Sequence, residues 1–186
     1  MAEDSQNSLG TKSYSVAFAP WDERLLALEI RPGRFGFAVF EGVTTLLDWG
    51  VRAHDGKSLL FGSTAPTTIE RLIDLYAPGA IVARQQNASP RHAPKQISAI
   101  VRGIKSAAAR RSIELHLVDP TAIQRFYAGH DLRTKHQIAT AISEWFDELS
   151  WKLPPKRRLW EAEPFNLLIF DAVGTAVAFM ASERTG

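Results

Sequence analysis

Cysteine is absent from these 186 residues. That excludes a disulfide framework, a thiolate nucleophile and cysteine-ligated zinc, and it fits a reducing compartment, so a cytoplasmic location is expected. No apolar run can span a bilayer, because the longest, Leu167 to Met180, is broken by Asp171. A membrane partner is therefore not expected. Residues Met1 to Lys12 lack the basic start and apolar centre of a secretory signal. They read as a disordered tail, with 13–186 as a single domain. A net charge of +2 says little about partners. Its distribution says more, since no Asp or Glu occurs between Ala80 and Ile113.

What is present is a chain with 45% hydrophobic residues, enough for a sizeable core. Leu25 to Ile30, Phe35 to Phe40 and Thr44 to Arg52 are three strand-like runs joined by short turns, which predicts an antiparallel meander. The period then changes. Ile69, Leu72, Ile73 and Tyr76 recur at helical spacing, and Pro78-Gly79 ends that helix. Ala80 to Arg84 reads as a fourth strand. Ile97, Ile100, Val101 and Ile104 mark a second helix, Glu114 to Asp119 a fifth strand, and Thr121 to Ala128 a short helix. A further helix carries Ile138, Ile142, Trp145 and Leu149 behind a Thr134 cap. After a linker at Leu153 to Arg158, a last helix is predicted over Glu163 to Ala181, with Pro164 in its first turn. The sum is an α/β fold: a mixed five-stranded sheet, three strands antiparallel and then two parallel, with helices on both faces.

Two carboxylates stand in apolar surroundings. Glu29 lies at the inner end of the first strand, and Asp171 lies in the last helix, which is apolar nearly all round. An unpaired charge in such a place is costly. If the helix crosses the sheet near that strand end, the two acids could share a hard cation. Alternatively, Asp171 pairs with a basic side chain or faces a solvent channel. Basic residues crowd the acid-free window: Arg84, Arg91, Lys95, Arg102, Lys105, Arg110 and Arg111. Lys95, Arg102 and Lys105 share one helical face. Lys152, Lys156, Arg157 and Arg158 form a second cluster, and Arg133 and Lys135 lie beside His130, Asp131 and His136. One-sided clusters of this kind suit phosphate backbones. The scattered residues Trp21, Trp49, Trp151 and Trp160 are expected at the core or its rim. His54-Asp55 before Gly56 reads as a turn.

The order of these motifs resembles the RuvC-like Holliday-junction resolvases, which have the RNase H-like fold. Leu26-Ala27-Leu28-Glu29-Ile30-Arg31-Pro32-Gly33, then Phe35-Gly36-Phe37-Ala38-Val39, is similar to that family's first hairpin. Asn87, Lys95-Gln96 and Ala99 to Arg102-Gly103 are similar to its second-helix region. Val118 to Ile123, Gly129 through Thr134 to Ile138, and Asp171 to Ala176 resemble its later segments in the same order. The resemblance implies a dimeric endonuclease acting on branched DNA, with Mg²⁺ or Mn²⁺ held by four acids. It assigns Glu29 and Asp171 as metal ligands and catalytic groups, with Lys135 assisting the chemistry or contacting phosphate. Arg84, Arg91, Lys95, Arg102, Lys105, Arg133 and Lys135 are the expected nucleic-acid contacts.

The acid set is incomplete. Glu29 replaces an Asp, the fourth strand offers Ala83 or Arg84 where a Glu is expected, and Leu168 lies one turn before Asp171. Glu163 is set aside, because eight residues of straight helix would put it about 12 Å along the axis from Asp171. A functional site would then need Asp48 or Asp119. The expected function is accordingly a RuvC-like nucleic-acid-binding protein, derived from a junction endonuclease and impaired in catalysis. The alternatives are an active Mg²⁺-dependent endonuclease and a protein-interaction scaffold. In the first reading Arg84 pairs with Glu29, and breaking one side of such a pair should cost on the order of 3–5 kcal/mol.

Overall fold

The first hairpin organises the molecule. The computed structural model describes residues 23–53, 64–86, 95–156, 158, 160 and 162–182. β1 (Arg24–Arg31) and β2 (Arg34–Glu41) pair antiparallel in a register that sets Glu29 opposite Gly36. Pro32-Gly33 closes the turn, and Gly33 takes φ +75°, a conformation that glycine adopts without strain. β3 (Thr45–Ala53) completes the meander, with a register shift between Val39 and Phe40. β4 (Ala80–Arg84) then pairs parallel to β1, and β5 (Glu114–Val118) parallel to β4. The sheet order is β3-β2-β1-β4-β5, so β1 is central and buried on both faces.

The two faces carry two cores, as alternation along the strands requires. Leu26, Leu28, Ile30, Phe35, Phe37, Val39, Ile81 and Ala83 point toward α1 (Thr64–Tyr76) and α2 (Lys95–Arg110). Leu25, Ala27, Ala38, Phe40 and Val82 point toward α4 (Lys135–Trp145) and α5 (Leu167–Ser182). Between β5 and α4 lies α3 (Pro120–Gly129), capped by Asp119, whose carboxylate accepts from Thr121 N–H. Thr134 caps α4 in a reciprocal capping box with Gln137. Every residue of α5 from Leu167 to Met180 is buried except the half-buried Asp171. No helix among the described residues is long and apolar enough to cross a membrane.

The last helix begins later than the sequence predicts. Leu167, Leu168 and Ile169 donate to the carbonyls of Pro164, Phe165 and Asn166, so a tight i→i+3 turn precedes the α-helix. Pro164 lies ahead of the helix rather than in its first turn, and Glu163 is not on its axis. Met1 to Lys12, Trp21, His54, Asp55, Asn87, Arg91 and Arg157 fall outside the described residues.

Candidate nucleic-acid interface and its buried acids

Strand parity decides where the first carboxylate points. Glu29 shares the face of Leu25 and Ala27, the face that α5 covers. Its partner across the hairpin, Gly36, leaves room for that helix: a Cβ there would stand 2.2 Å from the carbonyl oxygen of Leu168. The backbone of α5 thus lies directly on the sheet beside Glu29, which has no exposed surface. Asp171, three residues beyond Leu168, is on the same side. The two acids meet on one face, as the predicted fold requires.

Cations stand between them. Arg84 Nη2 lies 2.8 Å and Arg31 Nε 2.9 Å from Glu29 Oε1. Neither contact is an aligned hydrogen bond, and Glu29 Oε2 has no hydrogen-bond partner among the described residues. The carboxylate is held by charge. Burial pushes its pKa up from 4.5 to about 7; Arg84, Arg31 and Lys135 oppose the rise, and Asp171 adds to it. Arg31 also reaches Asp171, Nη2 to Oδ2 3.3 Å. Lys135 Nζ lies 3.0 Å from the same Oδ2 and pairs with Glu163 as well. The result is a chain of alternating charge: Arg84, Glu29, Arg31, Asp171, Lys135, Glu163.

Sequence reasoning named four of those six. Arg31 was missed, although its two-residue spacing from Glu29 on a strand puts both on one face. Glu163 was set aside on the assumption of a straight helix, but the chain at 162–164 is not helical and Lys135 contacts both Glu163 and Asp171. On the fourth strand, Arg84 rather than Ala83 faces Glu29, since Ala83 belongs to the opposite core.

The donor set does not suit a divalent cation between Glu29 and Asp171. Three basic side chains already contact the two carboxylates, and their charge would repel the ion. No group of three His, Asp or Glu side chains with metal-binding geometry occurs among the described residues. Asp48 cannot complete the set, because its carboxylate accepts from Tyr76 Oη at 2.6 Å and from Trp49 N–H. That bond raises the Tyr76 pKa to about 12. Asp119 is occupied as the α3 cap.

The remaining basic residues divide. Arg133 is exposed and, with Arg84, Lys135 and Asp171, lines a cavity of about 160 Å³. Lys95, Arg102 and Lys105 are exposed on α2, on the other face of the sheet, without ion-pair partners among the described residues. The structure does not bring them to Glu29. Arg110 and Arg111 leave the basic cluster altogether, because Glu70 and Asp74 of α1 pair with them. The acid-free window is acid-free in sequence only.

No protein-family sequence model matches the chain, and no curated protein sequence matches it. Solved structures do. RuvC of Thermus thermophilus in complex with a Holliday junction substrate superposes with TM-score 0.65 at 13% identity, covering 88% of this chain and 96% of that one. The yeast mitochondrial Holliday junction resolvase Ydc2 gives 0.59 at 14% identity, over 90% of this chain and 81% of that one. The fowlpox virus resolvase in complex with Holliday junction DNA gives 0.53 at 17% identity, over 85% and 99%. The chain has the fold of the RuvC-like Holliday junction resolvases.

Proposed function

We propose that this protein binds branched DNA on a RuvC-like frame and does not cleave it by metal-dependent hydrolysis. One observation carries the reading: Arg84 and Arg31 both contact the buried Glu29, where a resolvase of the resemblance would gather further acids around a metal. Two-metal hydrolysis needs carboxylates clamping ions about 3.5–4 Å apart. Here the positive charge comes from the protein. Arg84, Arg133 and Lys135 line the small cavity and suit contact with a phosphate. Lys95, Arg102 and Lys105 on α2 supply a second, exposed set of phosphate contacts.

The test is binding and cleavage of a synthetic four-way junction. Retarded migration that weakens steeply with salt is expected, with the junction intact after incubation in Mg²⁺ or Mn²⁺. Arg102→Ala with Lys105→Ala should lower the slope of log affinity against log salt by roughly 1–2 units. Nicking that disappears in Glu29→Gln and Asp171→Asn would instead make the protein a nuclease. Failure to bind DNA or RNA at low salt would leave a protein scaffold.

A further inference from the structure

The segment joining α4 to α5 carries an unusual surface. Most large apolar side chains of this protein are buried, yet Trp151, Trp160 and Phe165 are 71%, 78% and 49% exposed. The expectation that Trp151 and Trp160 pack at the core or its rim is therefore wrong. Each of the three rings has a cation over it. Lys152 Nζ lies 4.0 Å from the Trp151 centroid, Arg158 Cζ 5.8 Å from that of Trp160, and Arg34 Cζ 5.7 Å from that of Phe165. A cation covers one face of a ring. At these exposures the rings still offer broad surface to a flat partner.

Two of the three rings, Trp151 and Phe165, lie on stretches of chain that are held together. Asn166 Nδ2 donates to the carbonyl of Lys152 at 3.4 Å, which ties the stretch holding Trp151 to the turn holding Phe165. Beside them runs a groove of about 460 Å³, lined by Pro154, Pro155, Lys156, Glu163, Pro164 and Lys135. Adjacent prolines stiffen one wall, since proline fixes φ. Lys135 belongs also to the charge chain, so the groove connects the aromatic rings to the buried acids.

Exposed rings interleaved with cations match single-stranded nucleic acid better than a protein partner. Bases stack on rings, and the cations meet the phosphates between them. An apolar protein surface would complement the rings but leave Lys152, Lys156 and Arg34 facing it without counter-charge. Resting on the DNA-binding reading above, we propose that Trp151, Trp160 and Phe165 form a stacking platform for unpaired nucleotides, with the adjoining groove leading the strand toward Lys135.

The experiment uses the full chain and a twelve-residue oligothymidylate, with intact duplex and a four-way junction as comparators. Tryptophan fluorescence should be quenched by the oligothymidylate. Trp151→Ala with Trp160→Ala should weaken its binding about tenfold or more, while duplex binding stays within twofold. Trp151→Phe with Trp160→Phe should restore most of the affinity, since a phenyl ring still stacks. Both positions are so exposed that these variants should fold. Wild-type protein that binds duplex and junction but not the oligothymidylate overturns the platform and leaves the DNA reading standing. So does an affinity the alanine variant does not change, or a parallel loss of duplex binding. Loss of an oligomer on light scattering, with nucleotide binding intact, would assign the patch to a second copy of the chain. Wild-type protein that binds none of the three overturns both proposals.

Discussion

Gly36→Ala is expected to cost about 3 kcal/mol or more of stability, at the upper end of the range for overpacking a core. The added Cβ would stand 2.2 Å from the Leu168 carbonyl oxygen and 2.6 Å from its carbon. These atoms are backbone, in a helix buried along nearly its whole length, so no side chain can rotate aside. Relief requires moving α5 off the sheet by about 1 Å, which loosens contacts to β1, β2 and β4 together and opens the close packing that such interiors depend on. The movement would also carry Asp171 relative to Arg31, an ion pair 3.3 Å long in the native protein. Urea unfolding measures the loss. Gly129→Ala is the control: a Cβ there meets nothing within 4 Å, near the end of α3, and should be neutral or stabilising by up to about 1 kcal/mol. Equal midpoints for the native protein and Gly36→Ala would mean that α5 does not lie on β2.

The strands were legible because they are apolar and bounded by turns, and β1 and β2 are buried on both faces. Parity then put Glu29 on a definite face once one neighbour was placed. The choice between Ala83 and Arg84 was not legible, because it depends on parallel register, which no short-range pattern encodes. In the structure Leu28 sits opposite Ala83, so the next step along both strands sets Glu29 beside Arg84. Glu163 was lost for another reason. Proline in the first turn of a helix is common, so Glu163-Pro164 read as a helix start, and helical rise then separated Glu163 from Asp171. The chain at 162–164 is not helical, and Lys135 bridges the two acids. The charge count failed at Arg110 and Arg111, because their partners come from α1, about forty residues away in the chain.

The alternating charges also bear on how a buried carboxylate can be held without a metal. A buried carboxylate without compensation destabilises the native state. A metal supplies compensation in one way; guanidinium and ammonium groups supply it in another, and they come with the chain. Arg84, Arg31 and Lys135 each oppose the effect of burial on Glu29. They do not cancel it, and the residual imbalance is measurable.

Arg84→Met should open a stability gap that widens with pH. Glu29 in the folded protein holds its proton up to about pH 7, against 4.5 for an ordinary glutamate. The folded state therefore binds the proton more tightly than the unfolded chain. Stability from this group is complete below pH 4.5, declines as pH rises to about 7, and is flat above; the total is roughly 3 kcal/mol. Removing Arg84, the strongest attraction on the carboxylate, raises its pKa further. The decline then continues past pH 7 at about 1.4 kcal/mol per pH unit until the new pKa is reached. At pH 6 both proteins carry a mostly neutral Glu29, and only the packing of the arginine stem is lost. This proton uptake is why the 3–5 kcal/mol expected for a broken buried pair should not appear at neutral pH. Glu29→Gln resembles the protonated acid. It should remove the decline, matching the native protein near pH 5 and exceeding it above pH 7, and in that background Arg84→Met should cost the same at every pH. Denaturant unfolding at pH 5.5, 7 and 8.5 gives the comparison, and titrations elsewhere cancel in the difference between variants. A gap between native and Arg84→Met that is equal at all three values would show that Glu29 is not the charge Arg84 compensates.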